Sequence, residues 1–217
     1  GRERVTRDRF QYFSEDKVTY TDGMWHVIGR PLNIYAAIDF AYTKSKKADW
    51  TAIVVIGMDH EGYIYVLDID RFKTDKTKIY FDHILDMHGK WTFKKLRAET
   101  TAAQKIIVND IKDMVRKEGM SLAVESHSPS RHQGSKEERI AAVLEPRYEN
   151  QTIWHKKGGW TSALEEEVLM ARPKHDDIKD TLASVIEIAR PCRNKRVQEQ
   201  KSNVIYNSRF GGVQFRG

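Results

Sequence analysis

Cysteine is almost absent from this chain of 217 residues, in which Cys192 is the only one. A single cysteine excludes an internal disulfide framework and the cysteine-rich zinc modules, and it fits a reducing compartment. Long hydrophobic runs are also lacking, since no stretch approaches the roughly 18 uninterrupted apolar residues of a membrane span. The charged N-terminus is unlike a signal peptide. We therefore expect a soluble protein that is not secreted and has no membrane partner.

A phosphate-binding loop is missing as well. No G-x-x-x-x-G-K-[ST] motif occurs, and the nearest stretch, HGKWT at residues 88–92, lacks the first glycine and a Ser or Thr directly after Lys90. The sequence thus predicts no ATPase activity in this chain.

Basic residues outnumber acidic ones, with 37 Lys plus Arg against 31 Asp plus Glu and a formal net charge of +6. Such an excess favours polyanionic partners, nucleic acid above all. With 40% hydrophobic residues, the chain can bury one good core, and its length favours one compact domain. We expect an arm or interdomain linker at residues 1–30, the domain at residues 31–190 and a basic C-terminal tail at residues 191–217.

Strand-like segments come early in the expected domain. NIYAAIDF, TAIVVIGM and GYIYVLDIDRF are rich in Ile, Val and Tyr, and a short turn with Gly62 joins the last two. Segments with helical spacing then alternate with two shorter strands, KLRAE and SLAVE, and a last helix is expected from about Asp177 to the residue before Pro191. This order predicts an α/β fold with a mixed central sheet of five or more strands, flanked by helices.

Several helix boundaries are also predicted. We expect Gly89 to end the first helix, and S-x-x-E capping boxes to begin two later ones, at Ser135 with Glu138 and at Ser162 with Glu165.

Acidic side chains stand where the predicted strands end. Asp39 closes IYAAID and Glu99 closes KLRAE, so the two carboxylates converge if these strands are neighbours. Burying a carboxylate at a strand end is costly unless it is hydrogen-bonded or holds a metal. The alternative is that each acid is solvated or caps the next helix. Glu125, at the end of SLAVE, is a rival to Glu99 as a second ligand.

Three aspartates precede the apolar stripe of the last helix, in the segment PKHDDIKD. Asp177 and Asp180 are three residues apart and Asp176 and Asp180 are four apart, so on a helix they share a face. A helix cap explains one aspartate but not three. All-oxygen clusters suit hard cations, and a pair of Mg²⁺ or Mn²⁺ ions bridged by a carboxylate is a device for phosphodiester hydrolysis. The aspartates therefore favour a metal-dependent nuclease.

A first-strand Asp, a fourth-strand Glu and a C-terminal helical Asp, on this order of elements, resemble the ribonuclease H-like nuclease superfamily. Within it, the sequence is similar to the C-terminal nuclease domain of the large terminase subunit of tailed bacteriophages over roughly residues 30–190. The segments that carry the resemblance are AIDFAYTKSKKADWTAIVVIG, LRAETTAAQ, SKEERIAAVLEP and PKHDDIKDTLASV. The last has Thr181 where the family usually has a small residue.

The resemblance implies a catalytic set and a cofactor. Asp39, Glu99 and Asp177 would be catalytic and would bind two divalent cations, Mg²⁺ or Mn²⁺, with help from Asp176 or Asp180. Which of the three neighbouring aspartates is the main ligand stays open.

Further polar residues are assigned supporting roles. Asp49 matches the family pattern and is expected to be structural or to support the ligands, and His175 to support them or contact phosphate. Basic residues expected to contact DNA phosphates are Arg131, Lys136, Arg139, Lys156 and Lys157. For the segment WHKKGGW, the alternative is a hairpin turn with Trp154 and Trp160 in the core.

The implied function is a two-metal DNA endonuclease of little sequence specificity that cleaves concatemeric viral double-stranded DNA during genome packaging. It would act in the host cytoplasm and transiently at the procapsid, with the terminase ATPase domain, the small terminase subunit and the capsid portal as partners. One alternative is another ribonuclease H-like nuclease, either a junction resolvase or a ribonuclease. The other is a non-catalytic DNA-binding or motor-docking module.

Overall fold

The structure is a computed structural model that describes residues 4–41, 49–130 and 134–193. Arg131 and most of the expected basic tail, residues 194–217, lie outside these ranges. Within them, no helix is long and apolar enough to cross a membrane.

Strands and helices alternate along most of the described chain. The strands are β1 (Gln11–Phe13), β2 (Val18–Thr21), β3 (Met24–Val27), β4 (Arg30–Pro31), β5 (Asn33–Asp39), β6 (Thr51–Met58), β7 (Ile64–Phe72), β8 (Lys95–Glu99), β9 (Ala123–His127) and β10 (Ile153–Lys156). The α-helices are α1 (Thr77–Trp91), α2 (Lys105–Lys117), α3 (Lys136–Glu149), α4 (Thr161–Leu169) and α5 (Asp177–Ile188). Short 3₁₀ turns cover Arg7–Arg9, Glu15–Lys17 and Ala102–Gln104.

Seven strands form the central sheet, in the order β1-β10-β7-β6-β5-β8-β9. β5, β6 and β7 are an antiparallel meander, and β8 and β9 add to β5 in parallel. The predicted mixed α/β sheet is therefore confirmed. At the other edge, the short strands β10 and β1 pair in parallel beside β7, and the sequence analysis did not identify them.

Both faces of the sheet are covered, which explains the continuous apolar runs of β5 and β6. Along β5, Ile34, Ala36 and Ile38 pack towards α1 and α2. Tyr35 and Ala37 pack towards α3, α4 and α5. Because side chains alternate between faces, Asp39 at the end of β5 points to the side of α5.

The expected N-terminal arm takes part in both sheets of the structure. β1 lies at the edge of the central sheet, and β2, β3 and β4 form a separate three-stranded antiparallel sheet. Trp25 of β3 packs on Trp91 of α1, with ring centroids 4.7 Å apart.

Two predicted helix boundaries were wrong, whereas the capping box of Ser135 and Glu138 is confirmed. α1 runs through Gly89 to Trp91 and ends at Thr92 in the left-handed conformation, because Trp91 is buried in the core. α4 begins at Thr161 without a side-chain cap. Glu165 is instead buried and accepts hydrogen bonds from Tyr12 and His155.

Candidate metal centre

The candidate site lies on one row of residues that crosses five strands. Arg71 is the register partner of Ala52, Ala52 of Asp39, Asp39 of Glu99, and Glu99 of His127. Register partners on neighbouring strands point to the same face of a sheet. The row therefore places one basic and two acidic side chains under α5, with the small Ala52 between Arg71 and Asp39.

Asp39, Glu99 and Asp180 form the carboxylate cluster. One carboxylate oxygen from each lies within 4.8 Å of those of the other two. The cluster joins the ends of two adjacent parallel strands to the first turn of α5, which packs across β5 and β6. In the described residues it is the only such group of three or more His, Cys, Asp or Glu side chains.

Negative charge is concentrated in the carboxylate cluster. Burial and the charge of Asp180 raise the pKa of Asp39 well above its usual range. The same two causes raise the pKa of Glu99 to about 7. Lys136 Nζ lies 3.1 Å from Asp180 Oδ2. Burial by itself lowers the pKa of Lys136, but the charges of Asp180 and Asp39 more than offset this and raise it, so the ammonium stays charged.

The three aspartates near the start of α5 have three different surroundings. Asp176 precedes the helix but makes no capping hydrogen bond, and its Oδ2 lies 3.5 Å from Lys136 Nζ. Asp177 accepts two hydrogen bonds of 2.9 Å from Nε and Nη2 of Arg71. Asp180 belongs to the carboxylate cluster. The structure thus brings Asp180 together with Asp39 and Glu99, and it places the Asp177 carboxylate on Arg71 instead.

Glu167 of α4 supplies the side-chain cap of α5. Its Oε1 accepts hydrogen bonds from the backbone N–H groups of Ile178, at 3.0 Å, and Lys179, at 3.1 Å. Two of the amide groups that lack partners at a helix start are satisfied in this way. Burial is the main cause that raises the pKa of Glu167 to about 8. This cap was not predicted from the sequence because it comes from another helix, and nothing in the run EEE distinguishes its third residue.

Three other residues predicted as ligands or as supporting residues, Glu125, Asp49 and His175, are not part of the carboxylate cluster. Glu125 lies two residues before His127 on β9 and forms an ion pair of 2.8 Å with Lys95. Asp49 and His175 line a cleft of about 400 Å³ that also contains Asp39 and Lys136.

The predicted DNA-contacting residues are dispersed. Lys136 lies at the carboxylate cluster, and the charge of Arg139 lowers the pKa of Glu99, opposing the rise caused by burial. Lys156 is on the opposite face of the sheet, with Nζ 5.9 Å from the Trp91 ring centroid and 3.7 Å from Glu15. Lys157 is exposed and lies 4.9 Å from the ring centroid of Tyr12. Arg131 is outside the described residues.

The segment WHKKGGW forms β10 and a turn into α4, and its two tryptophans differ. Trp154 packs against the core, stacked on Tyr65. Trp160 is 37% exposed and packs on Trp50, with ring centroids 5.9 Å apart. Arg71 lies against both rings, an arrangement that the sequence analysis did not foresee.

A sequence-family profile matches part of this chain. The profile described as "Terminase Bacteriophage T7, Ribonuclease H-like domain" matches residues 42–153, slightly more than half of the chain. This range includes Arg71, Glu99 and Lys136, whereas Asp39 and α5 lie outside it. Comparison with curated proteins gives no match.

Solved structures of phage large terminases share the fold. The large terminase nuclease from thermophilic phage G20c aligns with a TM-score of 0.54 and 12% identity, over 84% of this chain and 96% of that one. A mutant fragment of the large terminase subunit from bacteriophage Sf6, solved with calcium, gives 0.52 and 10%, over 71% and 88%. A mutant Sf6 nuclease domain with manganese and beta-thujaplicinol gives 0.50 and 9%, over 74% and 89%. At these sequence identities, the structural similarity shows a shared fold and nothing more.

Proposed function

Because this chain is a nuclease domain of the terminase ribonuclease H-like family, we propose that it is a metal-dependent endonuclease. It would hydrolyse phosphodiester bonds in double-stranded DNA. The observation that carries the proposal is the carboxylate cluster, in which three acids from β5, β8 and α5 converge within 4.8 Å. Like charges brought together in this way destabilise the fold unless a proton or a cation offsets the repulsion, and Lys136 contacts only Asp180 and Asp176 of the nearby acids.

The cluster fits hard divalent cations. It offers carboxylate oxygens only, the donor type that suits Mg²⁺ and Mn²⁺. Burial, and after it the charge of Asp180, raises the pKa of Glu99, as expected for acids that are crowded together. We assign Asp39, Glu99 and Asp180 as the residues that hold two such cations, with Asp176 at the edge. Bound cations of this kind activate a water molecule and stabilise the leaving oxygen. In this assignment Asp177 pairs with the Arg71 guanidinium and binds no metal ion.

Basic residues of the chain would position the DNA. Lys136 and Arg139 lie on α3 beside Asp180 and Glu99, where an ammonium and a guanidinium can bind backbone phosphates on either side of the scissile bond. Phosphate contacts carry no sequence information, so cleavage would have little sequence specificity.

The biological reaction we propose is cleavage of concatemeric viral DNA during genome packaging, in the host cytoplasm and at the procapsid. The terminase ATPase domain, the small terminase subunit and the capsid portal would be its partners. The described residues before position 31 would belong to the same nuclease unit, since β1 pairs in the central sheet, and this chain would not hydrolyse ATP. Membership of the terminase family supports this assignment.

Nicking and linearisation of supercoiled plasmid in Mn²⁺, Mg²⁺ and EDTA test the function. We expect the wild type to cut in the presence of a cation, and Asp39→Asn to cut at least roughly 100-fold more slowly, since even residues outside the ligand shell cost 10–100-fold. Asp110→Asn, an exposed acid on α2, is the matched control and should cut normally.

Two results would overturn the proposal. One is a wild type that binds DNA but never cuts it with any divalent cation, and the other is an Asp39→Asn variant that cuts at the normal rate. Parallel reactions on an RNA–DNA hybrid and a four-way junction show whether linear duplex is the preferred substrate.

A further inference from the structure

Two tryptophans and two cations form a surface beside the carboxylate cluster, which we call the aromatic–cation platform. Trp50 and Trp160 lie edge to face at 5.9 Å. The Arg71 guanidinium carbon is 4.6 Å from the ring centroid of Trp50 and 5.6 Å from that of Trp160. Lys73 Nζ is 4.6 Å from the Trp50 centroid. The platform is therefore aromatic, and its accessible positive charge comes from Lys73, which is exposed, because Arg71 is nearly buried and paired with Asp177.

The platform is held in place from beneath. The side chains of Arg71 and Asp177 are only 8% and 12% exposed, and their two hydrogen bonds fix the guanidinium plane. Trp160 follows Gly158 and Gly159, whose positive φ values of 103° and 53° turn the chain out of β10. The Trp160 indole is 37% exposed and already fixed in position by these contacts. It can therefore bind a ligand through its apolar surface without the entropic cost of ordering the side chain.

The platform lies next to the proposed cutting site. Arg71 is two register positions from Asp39 along the row, which corresponds to roughly 10 Å at the usual spacing of strands. Trp50 also lines the cleft that contains Asp39, Lys136 and Lys174. At about 3.4 Å of rise per nucleotide, the roughly 10 Å between Arg71 and Asp39 equals two to three nucleotides of a DNA strand.

Resting on the proposed nuclease function, we propose that the aromatic–cation platform binds unpaired DNA bases beside the cut, so that the substrate is DNA whose strands are locally separated. In a paired duplex the base faces are stacked on each other and are not accessible to an indole. Cationic side chains such as Lys73 and Lys174 are sufficient to bind phosphate. Phosphate binding therefore does not explain why a tryptophan is exposed at this surface. Aromatic side chains interleaved with cations are the arrangement that binds single-stranded nucleic acid by stacking.

The proposal is tested by binding in EDTA, where no cleavage interferes. Fluorescence anisotropy of the full chain would compare a labelled duplex with a central unpaired bubble and the same duplex fully paired. We expect the wild type to prefer the bubble. Trp160→Ala should reduce that preference about tenfold, which lies within the usual effect of losing one stacking side chain, and Trp160→Phe should keep most of it.

Tyr20→Ala is the matched control, because Tyr20 is a 60% exposed aromatic residue on the separate three-stranded sheet. It should bind both DNAs as the wild type does. Thermal melting would show that each variant is folded. If the alanine variant is not, the comparison of the two DNAs with the wild type still tests the proposal, because a wild type without preference for the bubble contradicts it.

Failure of the platform is distinguishable from failure of the nuclease function. The platform proposal is overturned if the wild type has no preference for the bubble, or if Trp160→Ala weakens binding to both DNAs equally. Plasmid cleavage that persists in either case leaves the nuclease function standing. Bubble-specific binding that depends on Trp160, without cleavage in any cation, would support the platform and contradict the nuclease function.

Discussion

Asp177 and Asp180 are one turn apart on the same helix, yet they have opposite electrostatic surroundings. The Asp177 carboxylate is matched by the Arg71 guanidinium through two hydrogen bonds of 2.9 Å. Asp180 lies among the carboxylates of Asp39 and Glu99, with Lys136 as its ion-pair partner. The difference arises in the sheet below the helix, where the row of register partners begins with Arg71 and continues to Asp39 and Glu99. The strand row, and not the helix spacing, thus decides which aspartate joins the carboxylate cluster.

Exchange of each aspartate for asparagine gives the largest expected contrast. Asp180→Asn removes a carboxylate from the cluster, so we expect metal-dependent plasmid cleavage to fall at least roughly 100-fold. Asp177→Asn leaves the cluster intact and should keep cleavage within about tenfold of wild type, a loss no larger than that of a supporting residue. Initial nicking rates in Mn²⁺ measure both. Equal loss in the two variants would mean that the functional distinction between these aspartates is wrong.

Removal of Arg71, the partner of Asp177, should lower the stability of the fold. Arg71→Met leaves the nearly buried Asp177 carboxylate without its partner, which typically costs about 3–5 kcal/mol. For a chain of this size the melting temperature should fall by roughly 10 °C. The double variant with Asp177→Asn has no unpaired charge and should recover part of the loss, as a double-mutant cycle would show. If the double variant is as unstable as Arg71→Met, packing of Arg71 between the tryptophans is the main contribution.

The sequence predicted that the carboxylates at two strand ends converge if their strands are neighbours, and the structure brings them together. Asp39 and Glu99 stand at the ends of apolar runs, and the order of elements correctly placed those runs in one mixed sheet. It did not predict which aspartate faces them, because this requires the register of β5 with β6 and β8, which no local pattern encodes. Arg71 was missed for the same reason, since it acquires its role only through its position two strands from Asp39.

Two short strands on one side of the sheet, and a contact between helices, could not be predicted from the sequence. β1 has three residues and β10 has four, too few to show an alternating pattern. The cap of α5 comes from Glu167, ten residues before the helix begins, so it could not be found among the residues next to the helix start, where capping was the alternative to metal binding for one aspartate.

The cap from Glu167 predicts the smallest effect, a change in the pH dependence of stability. The pKa of this carboxyl is raised from its ordinary value of 4.5 to about 8 in the folded chain, mainly by burial. The folded state therefore holds the proton more tightly than the unfolded state does. The stabilisation is complete below about pH 4.5 and is lost as pH rises through about 8.

Glu167→Gln keeps an oxygen for the amides of Ile178 and Lys179 but does not titrate. We expect it to melt about 5 °C above the wild type at about pH 9, with the difference shrinking towards about pH 5, if about 2 kcal/mol of the linkage is realised. Glu166→Gln, an exposed neighbour on α4, controls for the loss of one negative charge and should show no such trend. If the melting temperatures of Glu167→Gln and wild type instead differ by the same amount across this range, Glu167 does not titrate there. The cap that it gives to the start of α5, which carries Asp177 and Asp180, would then be independent of pH.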